Sequence, residues 1–141
     1  MNLERAIEIA VEAHKGVSDK GGNPYVLHPL RMMFAVNTEE EKIVAVLHDV
    51  VEDAIGWDFE RLKKEEFSTI IIDALKTVTK VRKNENYDRF IGRALTNPIG
   101  RQVKIAELKD NMDVTRIGVL TENDMKRLNK YKRAFVKLTG T

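Results

Sequence analysis

A chain of 141 residues is long enough to bury a proper core, and positions 1–141 read as a single domain. Hydrophobic residues make up 43% and charged residues 33%, which argues against disorder, and 24 Lys and Arg against 22 Asp and Glu leave a net charge of only +2. So small a bias predicts neither a nucleic-acid partner nor a membrane surface. With no cysteine, disulfides, thiolate zinc sites and cysteine nucleophiles are excluded together. No apolar run approaches the length of a membrane span and the N-terminus lacks a signal-peptide pattern, so a cytoplasmic protein is expected.

The hydrophobic period is helical nearly throughout. Leu3, Ala6, Ile7, Ala10 and Ala13 form the first stripe, with Asn2 placed to cap it. Gly16 and then Gly21-Gly22-Asn23-Pro24 break that helix into a loop. His28 precedes Pro29, a residue favoured at the first helical position, and so stands at the mouth of a second short helix. Thr38-x-x-Glu41 is a capping box that opens a helix reading without a break through Ile43-Val44-Ala45-Val46-Leu47 to His48, Asp49, Glu52 and Asp53. Asp58 starts a short helix through Leu62, and Ser68 another whose face is Ile71, Ile72, Leu75 and Val78. Tyr87 to Leu95 is a further helix, ended by Asn97-Pro98, and Pro98 starts the one carrying Val103, Ile105, Ala106, Leu108 and Met112. Thr121-x-x-Asp124 opens the last helix, with Met125, Leu128, Tyr131, Phe135 and Leu138 on its core side and Gly140 as its stop. Thr69 to Ile72 comes closest to a strand and is too short to be convincing. The pattern predicts an all-α bundle with no internal repeat and no linker.

The chemistry concentrates where the Ile43–Asp53 helix leaves its apolar half. Burying ionisable groups costs several kcal/mol each unless they are paired or bound to a metal. On an unbroken helix His48 and Glu52 share one face, as do Asp49 and Asp53. An imidazole beside a carboxylate, with two more acids one turn on, suits a divalent cation and its activated water. The plainer alternative is a solvated helix end with one satisfied histidine. His14, near the end of the first helix, reads as structural, placed where a positive side chain suits the helix dipole. His28 is fixed by a loop of backbone-shaping residues and is a candidate second nitrogen ligand. Glu107, Asp110 and Asn111 form a third polar cluster that, taken alone, reads as a solvated helix face.

Taken in order, Ala13-His14-x-Gly16, Asp19-Lys20-x-Gly22-x-Pro24-Tyr25-x-x-His28-Pro29, Leu47-His48-Asp49-x-x-Glu52-Asp53, Leu75-x-x-Val78-Thr79-Lys80 and Val103-Lys104-Ile105-Ala106-Glu107-x-x-Asp110-Asn111 resemble the metal-dependent HD phosphohydrolases. Within that family they resemble the hydrolase domain of the RelA/SpoT alarmone enzymes. The resemblance covers roughly Leu3 to Asn111 and implies an HD-type helical bundle. It implies that His28, His48 and Asp49 bind a Mn²⁺-type ion, with Glu107 standing where the family usually has Asp as the fourth ligand. It implies further that Glu52 and Asp53 are the catalytic pair handling water and proton transfer, and that Lys20, Tyr25 and Asn111 lie on the nucleotide side of the pocket. The family's reaction removes pyrophosphate from the 3′ position of guanosine tetraphosphate or pentaphosphate. At this length no separate synthetase domain fits, so hydrolysis alone is expected.

Two departures from the pattern bear on that expectation. Glutamate at 107 carries its head group one methylene further out than aspartate. Asp19-Lys20 stands where the alarmone enzymes commonly carry Arg-Lys, which exchanges a cation for an anion near a highly charged substrate. Another nucleotide phosphate as substrate, or a non-catalytic nucleotide-binding module with a degraded metal site, are the alternatives. In the second of these, Lys126, Arg127, Lys130, Lys132, Arg133 and Lys137 of the last helix could face a polyanion; the plainer reading of that set is a solvated face.

Overall fold

The computed structural model describes residues 1–140. Its centre is α3 (Glu39–Leu47), whose start is fixed by the reciprocal capping box of Thr38 and Glu41. Ile43 through Leu47 are all buried, so this half of the helix is apolar all round and has to be enclosed. The elements that enclose it are α1 (Leu3–Ala13), α2 (Leu27–Phe34), α6 (Thr69–Thr77) and α8 (Pro98–Asn111).

The helix expected to run unbroken to Asp53 stops at Leu47 and restarts as a single turn, α4 (Val50–Asp53). The cause lies in who holds the Ala45 carbonyl. In a continuous helix it would accept from the Asp49 amide; here it accepts from His48 Nδ1 at 2.8 Å and from the His48 amide at 3.5 Å. A short tightened stretch inside a helix is a frequent mark of a functional position.

The remaining elements start where their caps predict. Asp58 caps α5 (Phe59–Lys64), Ser68 caps α6, Asn86 caps α7 (Tyr87–Leu95), and Asn97 caps α8 with Pro98 in its first turn. Thr121 and Asp124 form the capping box of α9 (Glu122–Thr139), which ends at Gly140 with φ 76°. Thr69 to Ile72, the nearest approach to a strand pattern, is helical in α6 with Ile71, Ile72, Leu75 and Val78 buried. Among the described residues there is no strand, only an isolated bridge between Ser18 and Pro24. The all-α expectation is borne out.

A second, smaller core joins α7, α8 and α9 through Ile91, Leu108, Ala134 and Leu138. Here the predicted faces need correction. Met125 is exposed and Leu128 only half-buried, whereas Tyr131 and Phe135 pack, partly buried, against this core beside Ala134 and Leu138, because it is the C-terminal half of α9 that is docked. Ile105 and Met112 are likewise half-buried. No helix among the described residues is long and apolar enough to cross a membrane. Since α3 packs against both α2 and α8, residues near 28, 48 and 107 are brought to one place despite their separation in sequence.

Candidate metal centre

Three donor atoms meet where α2, the α3–α4 junction and α8 come together. His28, His48 and Asp49 each offer one, and the three lie within 4.8 Å of one another. Both imidazoles are oriented from behind. His48 Nδ1 donates to the Ala45 carbonyl at 2.8 Å, which leaves Nε2 facing inward as the nitrogen that can carry a proton or, in its place, a metal ion. His28 Nδ1 lies 2.6 Å from Asp110 Oδ2, and Asp110 is itself gripped by Arg31 at 2.8 and 3.0 Å. A ring nitrogen tied to a carbonyl or a carboxylate, with the other nitrogen free, is the usual support of a metal-binding histidine.

His48 Nε2 is buried and makes no hydrogen bond, although it stands 3.0 Å from Asp49 Oδ2 and 3.3 Å from Glu107 Oε2. Burial alone would lower this imidazole's pKa, but the Asp49 and Glu107 charges outweigh it and push the value up to about 9. In turn, His48 holds the Asp49 carboxyl well below the ordinary carboxylate range against the opposing effect of burial. A positive charge is therefore wanted at the point between these groups. Two nitrogens and an oxygen, with no sulfur, fit a divalent cation of the Mn²⁺ or Zn²⁺ kind.

Glu107 is adjacent to this group without converging with all three donors. Its Oε1 is 2.9 Å from Lys104 Nζ, a lysine only 2% exposed, one turn earlier on α8. Burial would raise the Glu107 pKa, yet Lys104 and His48 lower it. Tyr25, expected on the nucleotide side, donates its hydroxyl to Asp49 Oδ2 instead. Burial and that carboxylate push the phenol well above its ordinary pKa, so it stays a neutral donor.

Glu52 and Asp53 sit at the rim, reaching solvent. The break after Leu47 separates Glu52 from the straight-helix pairing with His48, and its carboxylate accepts from the Lys80 backbone amide. Partial desolvation, and then the Asp49 charge, raise the pKa of both acids. Glu52, Asp49, Glu107 and Asn111 line one cavity of about 160 Å³, faced by Lys80, Lys104 and Lys130. Lys20 stands apart, exposed, with its charge falling on Asp124 at the start of α9. A larger open groove of about 460 Å³, between the start of α3 and the α7–α8 junction, carries no imidazole.

His14 is 3% exposed, with its ring 5.0 Å from that of Tyr25. Burial lowers its pKa against the opposing charge of Asp49, with His48 and His28 adding to the lowering, so the environment disfavours the cation expected at the end of α1. Lys104, Asp110 and Tyr87 were not assigned roles in the sequence. Lys104 was detectable, being three residues from Glu107 on one helical face. Asp110 was not, because its partners His28 and Arg31 lie 82 and 79 residues away.

Fold and sequence can now be compared with known proteins. No family model matches the chain. The solved structure of a metazoan SpoT ortholog, described as hydrolysing ppGpp and playing a role in starvation responses, superposes with a TM-score of 0.81 at 22% identity, covering 99% of this chain and 86% of that one. By fold this is a helical domain of the SpoT-hydrolase type. In sequence it is related to proteins named guanosine-3′,5′-bis(diphosphate) 3′-pyrophosphohydrolase, and the resemblance to RelA/SpoT enzymes holds at both levels. The relative from Aquifex aeolicus is 31% identical over 140 residues, 91% of this chain and 19% of its own length. That from Borreliella burgdorferi is 30% identical over 145 residues, 92% of this chain and 21% of its own. The chain thus spans about a fifth of the length of these relatives.

Proposed function

We propose that this chain is a metal-dependent phosphohydrolase domain that releases the 3′-pyrophosphate of guanosine 3′,5′-bis(diphosphate). The observation that carries the reading is the convergence of His28, His48 and Asp49 donors within 4.8 Å, each imidazole braced from behind. The names of the sequence relatives supply the substrate. The domain is taken as one unit acting in the cytoplasm, where a nucleotide substrate is met.

His28, His48 and Asp49 would hold the ion, with Glu107 as fourth ligand once Lys104 releases it; Mn²⁺ suits this set of nitrogens and oxygens. When bound, the ion supplies Lewis acidity, making water more acidic and offsetting phosphoryl charge. Glu52 takes the proton from the attacking water, and its raised pKa brings it nearer the working pH. The Lys80 amide fixes the orientation of that carboxylate. Asp53, whose pKa is raised by burial, gives its own proton to the ribose 3′-oxygen as that oxygen's bond to phosphorus breaks. It is reprotonated from solvent while Glu52 sheds the proton it took. Tyr25 holds Asp49 in place, and Asn111 on the cavity wall is left to meet the nucleotide.

The test is a phosphate- and pyrophosphate-release screen over nucleotides with Mn²⁺-loaded protein. Release from guanosine 3′,5′-bis(diphosphate) supports the reading, and release from other nucleotides only keeps the hydrolase and removes the alarmone. The Lys104–Glu107 pair favours one rival, a nucleotide-binding module whose metal site has lost its fourth ligand. Nucleotide binding without turnover of any nucleotide would favour that rival.

A further inference from the structure

Three lysines face the cavity and, among the described residues, only one of them is held in an ion pair. Lys104 is committed to Glu107, but among the described residues neither Lys80 nor Lys130 has a carboxylate oxygen within 4.0 Å. Lys130 Nζ rests instead on aromatic faces, 4.7 Å from the centroid of Tyr87 and 5.3 Å from that of Tyr131. Lys80 Nζ lies 6.0 Å from the centroid of Phe90, whose other neighbours include Lys104 Nζ at 4.2 Å. The Lys130 ammonium is disfavoured by burial and then by Lys80, Lys104 and Arg127. Like charges gathered in a half-enclosed space cost free energy unless an anion joins them. Independently, the hydroxyl of Tyr87, which lines the same cavity, is buried and has no hydrogen-bond partner. A buried donor without an acceptor costs roughly as much as a lost hydrogen bond, which points to a ligand that supplies one.

We propose that Lys130, Lys80 and the Tyr87 hydroxyl form an oxyanion seat for a terminal phosphate group of the substrate, in the cavity that Asp49 and Glu52 also line. The inference rests on the hydrolase reading for its substrate but not for its geometry. Two ammonium groups and a hydroxyl suit a phosphate or pyrophosphate, so the signature of the seat is charge-assisted and salt-sensitive. It places binding charge on α9, whereas Asp19, where the resemblance expects a cation, is occupied in closing its own loop onto the amides of Gly21 and Asn23 at 2.9 Å each.

The experiment is calorimetric binding of inorganic pyrophosphate to metal-free protein, so that chelation by the probe does not intervene. The parent should bind; Lys130→Gln and Lys80→Gln should each weaken binding roughly ten- to a hundredfold, the scale of one charge-assisted hydrogen bond. Lys130→Arg should restore most of it, Tyr87→Phe should show a smaller loss, and added salt should weaken the parent more than Lys130→Gln. Mn²⁺ affinity and melting temperature serve as checks that Lys130→Gln is folded with its metal ligands intact. With Mn²⁺ present, Lys130→Gln should raise KM for the nucleotide far more than it lowers kcat. A parent that ignores pyrophosphate, or a Lys130→Gln that binds it as the parent does, overturns the seat whatever the enzyme hydrolyses. Loss in Lys130→Gln from a parent that hydrolyses nothing keeps the seat and overturns the hydrolase.

Discussion

His48 and Glu52 are neighbours on any helical drawing of the sequence, and the structure assigns them different partners. His48 Nε2 faces the carboxylates of Asp49 and Glu107, while Glu52 turns to the Lys80 amide. His48→Ala should therefore abolish both Mn²⁺ binding and pyrophosphate release. Glu52→Gln should keep the ion and slow release by about 10²–10⁴-fold, the usual weight of a general acid–base group. Calorimetry with Mn²⁺ and a release assay on the two variants check this; equal metal loss would make Glu52 a ligand. Lys104 allows a sharper question about Glu107. Breaking a buried pair by removing one partner typically costs about 3–5 kcal/mol because the other charge is stranded. Lys104→Met should then destabilise the chelated protein strongly and the Mn²⁺-loaded protein much less, since the ion takes over as counter-charge to Glu107. Melting curves with and without Mn²⁺ decide it, and an equal loss in both would leave Glu107 outside the coordination shell. Sequence spacing could bring His48 and Asp49 under suspicion because they sit in a dense local cluster, whereas Glu107 comes into view only through the resemblance to a known family. It could not supply Asp110 behind His28, since that pairing exists only after α2 and α8 have docked.

At the level of elements, most boundaries were readable because they are made by local chemistry. Asn2, Thr38, Asp58, Ser68, Asn86, Asn97 and Thr121 each place a side-chain oxygen on the first free amides of a helix. The break after Leu47 was not readable, because nothing in Leu47-His48-Asp49-Val50 is a helix breaker by type. It arises from a histidine ring whose orientation the packed core sets, and which then holds the carbonyl that the helix needed. The face of α9 held at Tyr131, Phe135 and Leu138 but not at Met125, because periodicity says which residues share a side, not how far along its length a helix is covered. Packing of α8 on α6 gives a prediction of its own. A Cβ on Gly100 would lie 2.1 Å from Thr77 Oγ1 and 3.3 Å from Thr77 Cβ. The Thr77 hydroxyl is tied to the Ala74 carbonyl at 2.7 Å, so it does not move aside freely. Gly100→Ala would be stabilising on helix propensity alone, by about 1 kcal/mol. Overpacking against a β-branched neighbour, typically about 1–3 kcal/mol, should reverse that. Thermal melts of Gly100→Ala and of Gly100→Ala with Thr77→Ala separate the two terms: the single variant should melt lower than the parent and the double should recover. A single variant that melts higher would show that α6 and α8 have slack between them.

Across the whole molecule, the three converging donors come from α2 and the α3–α4 junction, with α8 bracing His28 through Asp110, so an ion held by them would tie together parts of the chain that meet only in the folded state. Such binding stabilises the fold by mass action, about 2.7 kcal/mol when the free ion is a hundredfold above its dissociation constant. The size of this effect must depend on pH, because ion and proton compete for His48. In the absence of the ion the His48 pKa is raised from 6.5 to about 9 by Asp49 and Glu107, despite burial. Protonation of His48 thus supports the metal-free fold fully below pH 6.5, and that support is lost as pH rises through about 9. The ion requires the neutral ring, so its affinity rises across the same window. Both trends act in one direction on the difference between the two forms. The gap in melting temperature between Mn²⁺-loaded and chelated protein should widen steadily from pH 6.5 toward 9, and in the neutral range each ion bound should release close to one proton. Calorimetry in buffers of different ionisation enthalpy counts that proton, and paired melts follow the gap. His48→Ala should remove the gap at every pH, and His28→Ala should shrink it while leaving its direction. A gap that stays level with pH, with no proton released, would mean that His48 is neutral before the ion arrives and that Asp49 and Glu107 are balanced by some other charge.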